Sequence, residues 1–304
     1  MKNILILLMA FQGAILGGLA QQGTVDTSQS LESKILKRTM SFSVYLPPDY
    51  TTSNRSYPVL YLLHGMTGDH TDWAIKGEVA QIANRAIGQG EAPPMVIIMP
   101  DGLFDAFYIN HYDGSLSWED FFYQEFIPEV EKRFRIKANR STRAIAGLSM
   151  GGYGALYHAV KHREMFSQCY AMSAAVLTRE PVKDQAELSN FERELGKKLW
   201  GPLNKEGYPE NYKAHSLHEF FKAIEVDKNW KNPHEILQAT GLPKIYIDCG
   251  DDDFLLDQNN SLVKLIRQKR IPFEYRVRDG AHTWEYWRTA LRTALEQAGD
   301  AFRN

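Results

Sequence analysis

"IAGLSMGGYGA", residues 145–155, sets one serine among four glycines directly after an apolar run. The G-x-S-x-G spacing alone arises by chance in about one chain of this length in ten, so its surroundings decide its meaning. "STRAIAGLS" (141–149) reads as a short buried strand, and "MGGYGALYHAV" (150–160) as a helix with Tyr153, Leu156, Tyr157 and Val160 on one face. Ser149 therefore falls at a strand-to-helix turn. There, Gly147 and Gly151 permit a tight, strained elbow, while Gly152 and Gly154 let the helix lie close to the sheet. The hydroxyl projects at the carboxyl end of the strand, with the helix amino terminus behind it.

Outward from this turn, strand-like runs appear at "SFSVYLP" (41–47), "YPVLYLL" (57–63), "MVIIMP" (95–100), "CYAMS" (169–173), "KIYIDCG" (244–250) and "FEYRVRD" (273–279). Helical patterns cover residues 77–89, 117–135, 150–163, 258–269 and 283–302. Strands alternating with helices predict an α/β fold: a mainly parallel central sheet with helices on both faces. The first one or two runs have no helix between them and are expected to pair antiparallel at one edge. Helix 117–135 carries a capping signature, Ser117 with Asp120, and is expected to kink at Pro128. Residues 174–240 break the rhythm: long, charged, helical in flavour and punctuated by Pro and Gly, they read as an insertion that caps the site.

With 304 residues, 44% hydrophobic and 24% charged, the chain can build one large domain. Its net charge of −2, without a basic block, excludes nucleic acid as an expected partner. "MKNILILLMAFQGAILGGLA" (1–20) has the form of a secretory signal peptide: a lone Lys2, an apolar stretch, and small residues before Gln21. Glycines break that stretch, which is marginal for the ~20 residues of a membrane span. A polar leader at 21–29, a catalytic domain over 30–304, no stable membrane anchor, and a secreted or periplasmic location are the corresponding expectations. Cys169 begins one predicted strand and Cys249 ends another, so parallel neighbours would hold the two sulfurs apart and no disulfide is expected.

A serine hydroxyl is a weak nucleophile that needs a base, and the base needs an orienting acid. Of nine histidines, only His282 follows the penultimate-strand acids and precedes the last helix, in "RDGAHTWEYW" (278–287). His158 and His162 lie on the helix behind Ser149; His215, His218 and His234 lie in the insertion. "CGDDDFLLDQN" (249–259) offers the acid. Asp248, inside the strand, is expected to have a structural partner, and among Asp251, Asp252 and Asp253 the last is favoured as far enough round the turn to face His282. The oxyanion donors are assigned to the N–H groups of Met150, at the helix amino terminus, and Met66, after "VLYLLHG" (59–65). His64, Asp69 and His70 could be read as metal ligands, but no third histidine or cysteine completes a compact site, so neither metal nor cofactor is expected.

"LLHGMTGDHTDW", "MPDG", "EFIPEVEKRFRI", "RAIAGLSMGGYGA", "DCGDDDFLLDQN" and "GAHTWEYW", in this order, resemble the esterase family that includes feruloyl and acetylxylan esterases, S-formylglutathione hydrolase (esterase D) and mycolyltransferases. The resemblance spans about residues 30–300. It implies an α/β-hydrolase fold and a metal-independent serine esterase, with Ser149, Asp253 and His282 as triad and Met66 and Met150 as oxyanion donors. Export argues against glutathione thioesters. Aromatic residues are dense near the expected site, and Tyr108, Tyr112 and Trp284 are taken as substrate contacts, with Trp200, Tyr208, Tyr212 and Trp230 spaced through the insertion. For any one of them ordinary packing is the competing explanation. Feruloyl or acetyl esters on plant polysaccharide are the expected substrates. The alternatives are an S-formylglutathione hydrolase-like or short-chain acyl esterase, an acyltransferase, and a non-catalytic carbohydrate-binding relative.

Overall fold

Eight strands make one sheet: β1 Thr24–Ser33, β2 Arg38–Leu46, β3 Val59–Leu63, β4 Val96–Pro100, β5 Arg143–Leu148, β6 Gln168–Met172, β7 Lys244–Gly250 and β8 Glu274–Arg278. The computed structural model describes residues 21–176 and 188–303, so the expected signal peptide at 1–20 lies outside the described residues. The strand order is β1-β2-β4-β3-β5-β6-β7-β8. β1 with β2 and β2 with β4 are antiparallel, and every other pairing is parallel.

Successive side chains of the central strands enter opposite layers. On β3, Val59, Tyr61 and Leu63 join one buried cluster while Leu60 and Leu62 join the other. Helices α1 Asp72–Ile75, α2 Val79–Gly88, α3 Trp118–Phe121, α4 Ile127–Arg133 and α5 Met150–Lys161 precede the insertion. Within it lie α6 Asn190–Trp200, α7 Tyr212–His215, α8 Leu217–Ala223 and α9 Pro233–Thr240; α10 Leu256–Gln268 and α11 Trp284–Arg303 complete the chain. α5 and α10 give Leu156 and Leu262 to the first cluster; α2 and α11 give Val79 and Leu291 to the second. Each face of the sheet thus loses its apolar surface to helices, the arrangement that parallel strands require.

Two local expectations are corrected, at residues 24–29 and at Ser117, and the helix around Pro128 carries a feature not expected from the sequence. Residues 24–29, read as polar leader, belong to β1, an edge strand whose sparse apolar residues hid it. Its register shifts between Asp26 and Gln29, where the Asp26 carboxylate accepts from the Ser28 N–H and hydroxyl and the Gln29 amide. Ahead of Pro128 the helix adopts a π turn, Phe122–Phe126, and the Ile127 N–H reaches back to the Phe122 carbonyl. That widening accommodates the missing proline N–H without breaking the helix. The Ser117 side chain makes no cap; Asn110 Oδ1 instead accepts from the Asp120 N–H at 3.2 Å.

Cys169 and Cys249 are both free and buried, and on the parallel neighbours β6 and β7 Cys169 stands opposite Ile245, four residues along the strand from Cys249. Asp248 has the structural role expected of it. Fully buried in β7, it accepts from Tyr170 of β6 at 2.6 Å, from Tyr286 of α11, and from Arg278 of β8. Asp248→Ala leaves that arginine and two phenols without their acceptor, so unfolding free energy should fall by about 3–5 kcal/mol. Urea denaturation measures it; a change below about 1 kcal/mol would show the cluster to be dispensable.

Candidate active site

Ser149 carries the strain at the elbow. Its φ of 54° and ψ of −116° are unusual for a residue with a side chain, a conformation that costs on the order of 1–3 kcal/mol. Backbone bonds hold it there: the Ser149 N–H donates to the Met172 carbonyl at 2.9 Å, and the Ala175 N–H donates to the Ser149 carbonyl at 3.0 Å. The flanking glycines serve by their size. A Cβ on Gly147 would stand 2.3 Å from the Gly151 carbonyl oxygen, and one on Gly151 2.5 Å from that of Leu63.

Asp253 follows β7 and His282 follows β8, and two glycines press these loops together. A Cβ on Gly250 would lie 2.0 Å from the Gly280 carbonyl oxygen, while Gly280 itself has φ +138°. Asp251 locks the junction: its N–H donates to the Arg278 carbonyl, and its Oδ1 accepts from the Gly280 N–H at 2.9 Å. Asp252 is exposed. Asp253, 4% exposed, is the carboxylate that reaches the imidazole.

The structure brings Ser149, His282 and Asp253 into one chain of hydrogen bonds. His282 Nδ1 stands 2.8 Å from Asp253 Oδ2 and Nε2 stands 3.0 Å from Ser149 Oγ. Burial pushes the Asp253 carboxyl up, yet hydrogen bonds from His282, the Ser173 hydroxyl and the Leu255 N–H outweigh it and hold it below the usual carboxylate value. An ionised carboxylate can only accept, so Nδ1 carries the proton and Nε2 is left as acceptor for the serine O–H. Trp287 braces the arrangement from α11: its indole N–H donates to Ser173 Oγ at 3.1 Å, and its ring stands edge-on to His282 at 4.8 Å.

Met66 lines the cavity that contains Ser149, and Met150 opens α5. Among the described residues neither N–H donates to another group. The Gly65 backbone lies so near that a Cβ there would be 3.5 Å from the Ser149 Cβ. His64, buried beneath, fixes the loop: Nδ1 lies 2.8 Å from the Gly65 carbonyl, and Nε2 accepts from the Gly102 N–H at 2.8 Å. With both nitrogens engaged by backbone, it has none left for a metal. Glu119, His158 and His162 are the one group among the described residues whose ligand atoms lie close enough to hold an ion. That donor set is already spent: Lys161 stands 2.8 Å from Glu119 Oε1, Tyr157 donates to Oε2, and His158 contacts Tyr123 and the Tyr108 carbonyl.

Two expected substrate contacts are displaced. Tyr108 is fully buried and donates to the His64 carbonyl at 2.8 Å, so it supports the Met66 loop from below. Tyr112 lies against Gly201 and donates to Glu210, and it does not line the Ser149 cavity. Trp200 is buried too, edge-on to Phe107. Trp284 does line the Ser149 cavity, a hollow of about 430 Å³, together with Trp287, Met66 and Leu148. Phe254 was missed by sequence reasoning. It is 74% exposed, with its ring 4.6 Å from that of His282. An aromatic placed directly after the favoured acid was the signal available. No described residue of the insertion lines the Ser149 cavity, which differs from the expected cap; residues 177–187 lie outside the described residues.

A strained serine at a strand-to-helix elbow, facing a histidine beyond the last strand of a largely parallel sheet, defines a serine hydrolase of the α/β-hydrolase fold. Residues 33–298 match the family described as "Putative esterase", and the chain belongs to that family: it is a serine esterase. It is 25% identical over 282 residues to an acetyl esterase of Caldicellulosiruptor saccharolyticus, covering 87% of this chain and 94% of that one. It is 34% identical over 149 residues to an endo-1,4-beta-xylanase/feruloyl esterase of Xylanibacter ruminicola, a match to 47% of this chain and 20% of that longer protein. A solved ferulic acid esterase superposes with a TM-score of 0.74 at 34% identity, over 92% of this chain and 99% of that one. Among the described residues no helix is long and apolar enough to cross a membrane.

Proposed function

We propose that this esterase acts through an acyl-enzyme on Ser149 and releases feruloyl or acetyl groups from plant polysaccharide outside the cytoplasm. The observation that carries the mechanism is the run of hydrogen bonds from Ser149 through His282 to Asp253, at 3.0 and 2.8 Å. Ser149 Oγ attacks the acyl carbon as His282 Nε2 takes its proton, and the imidazolium then returns that proton to the departing alcohol oxygen. Water repeats the sequence on the acyl-serine and frees the acid. The N–H groups of Met66 and Met150 receive the negative charge that develops on the carbonyl oxygen.

Exposed Phe254 beside His282, and Trp284 in the cavity wall, supply aromatic faces for a hydroxycinnamoyl ring. The relatives' names and the form of residues 1–20 support a polysaccharide ester met after export. The test compares feruloylated arabino-oligosaccharide, acetylated xylo-oligosaccharide, a small acetate ester and S-formylglutathione. One of the two sugar esters should give the highest kcat/KM, and Phe254→Ala should raise KM for the feruloyl ester several-fold without changing acetate turnover. Preference for the thioester, or acyl transfer to added sugar in place of water, would overturn the reading.

A further inference from the structure

The Ser149 hollow is not the largest concavity. A half-open cavity of about 790 Å³ lies in the insertion, formed by residues 204–214, α8 and Ser261 of α10, and it shares no lining residue with the Ser149 cavity. We propose that it binds a neutral oligosaccharide, the glycan portion of a polymeric substrate, at a site separate from the one that cleaves the ester.

Its dimensions suit a small-molecule ligand, for which cavities run from about 300 to 1,000 Å³. Tyr208 and Tyr212 form one wall, with ring centroids 5.4 Å apart and planes at 36°, and both are half-buried. Such rings offer apolar faces for the C–H face of a pyranose and hydroxyls for its rim. The Tyr112 hydroxyl fixes Glu210 at the edge.

Charge narrows the class of ligand. Lys222 is paired with Glu219 at 2.7 Å, which leaves Glu206, Glu210 and Lys213 around the opening. Burial first, and then Lys222, push His218 down to about 4, so it is neutral at neutral pH. A lining with one net negative charge disfavours phosphates and carboxylates, and so many polar groups disfavour an acyl chain. A neutral ligand rich in hydroxyls remains. His218 lines the same cavity, with Nε2 3.3 Å from Ser261 Oγ.

The proposal goes beyond the ester reading and uses no property of the acyl site, so its test uses sugar without an ester. The native chain is titrated with unesterified xylohexaose, arabinoxylo-oligosaccharide and cellohexaose, followed by calorimetry and by backbone amide shifts. Saturable binding of at least one sugar is expected, with shifts over residues 204–222. Tyr208→Ala and Tyr212→Ala should each weaken it at least tenfold, and Tyr212→Phe should retain it, with hydrolysis of a small acetate ester unchanged in all three. No binding across the panel, shifts confined to residues 64–67 and 282–287, or unaltered affinity in folded tyrosine variants would overturn the proposal. Should an alanine variant unfold, the shift map on the native chain still decides. Binding of ester-free sugar by a chain that does not deacylate feruloylated or acetylated sugar would refute the substrate reading alone.

Discussion

Ser149→Ala should lower kcat by about 10⁶-fold on every ester, the size of loss seen when a nucleophile is removed from a concerted serine site. Without Oγ the imidazole has no proton to take and no acyl-enzyme can form. The remaining rate, some 10³–10⁴ above water, comes from binding and the oxyanion donors. The fold should persist, because the elbow is held by backbone groups, the Ser149 N–H on Met172 and its carbonyl on Ala175, which alanine retains. A fluorophosphonate should label the native chain once, and mass spectrometry of the digest should place the adduct on Ser149. Label on another residue, together with substantial activity in the alanine variant, would remove Ser149 from the mechanism.

Asp253→Asn should lower kcat by about 10⁴-fold while KM changes little. The asparagine amide can donate to Nδ1, which favours the tautomer with its proton on Nε2, where the serine proton has to go. Asp251→Asn and Asp252→Asn should cost no more than several-fold. Asp251 uses its Oδ1 on the Gly280 N–H, a bond that an amide oxygen can also accept, and Asp252 faces solvent. The same substitution has a thermodynamic signature. A carboxyl whose folded pKa lies below its unfolded value, about 3.9, contributes stability that is complete above that value and is lost as pH falls through the folded one. The stability gap between the native chain and Asp253→Asn should therefore close below about pH 4 and stay constant above it. A gap that widens on acidification, or a larger kcat loss at Asp251, would move the acid along the loop.

The elbow was legible because three signals adjoin within residues 141–160: a buried strand, crowded glycines and a helical stripe from Tyr153 to Val160. His282 could be found by its place after the last strand-like run. The acid was less distinct, since three consecutive aspartates have the same chemistry, and only the path of the loop around Gly250 and Gly280 separates them. Aromatic density misled. A tyrosine in a loop carries no mark of which way it faces, so Tyr108 in the core and Phe254 at the surface could not be told apart from composition. β1 and the π turn were hidden for a related reason. An edge strand needs little apolar residue, and a helix that widens by one residue ahead of a proline keeps nearly the same periodicity.

His282, the proposed base, follows β8, one of the sheet's two edge strands. β8 pairs only with β7, its residues are half-buried or exposed, and its loop runs straight into His282. Edge elements open locally at a smaller free energy than the whole fold. Heat should therefore silence the enzyme while its central strands remain folded, and the inactivation midpoint should report on the grip of Asp248 upon Arg278 rather than on the core. Thermotolerance in this scaffold is a problem of hemming one edge.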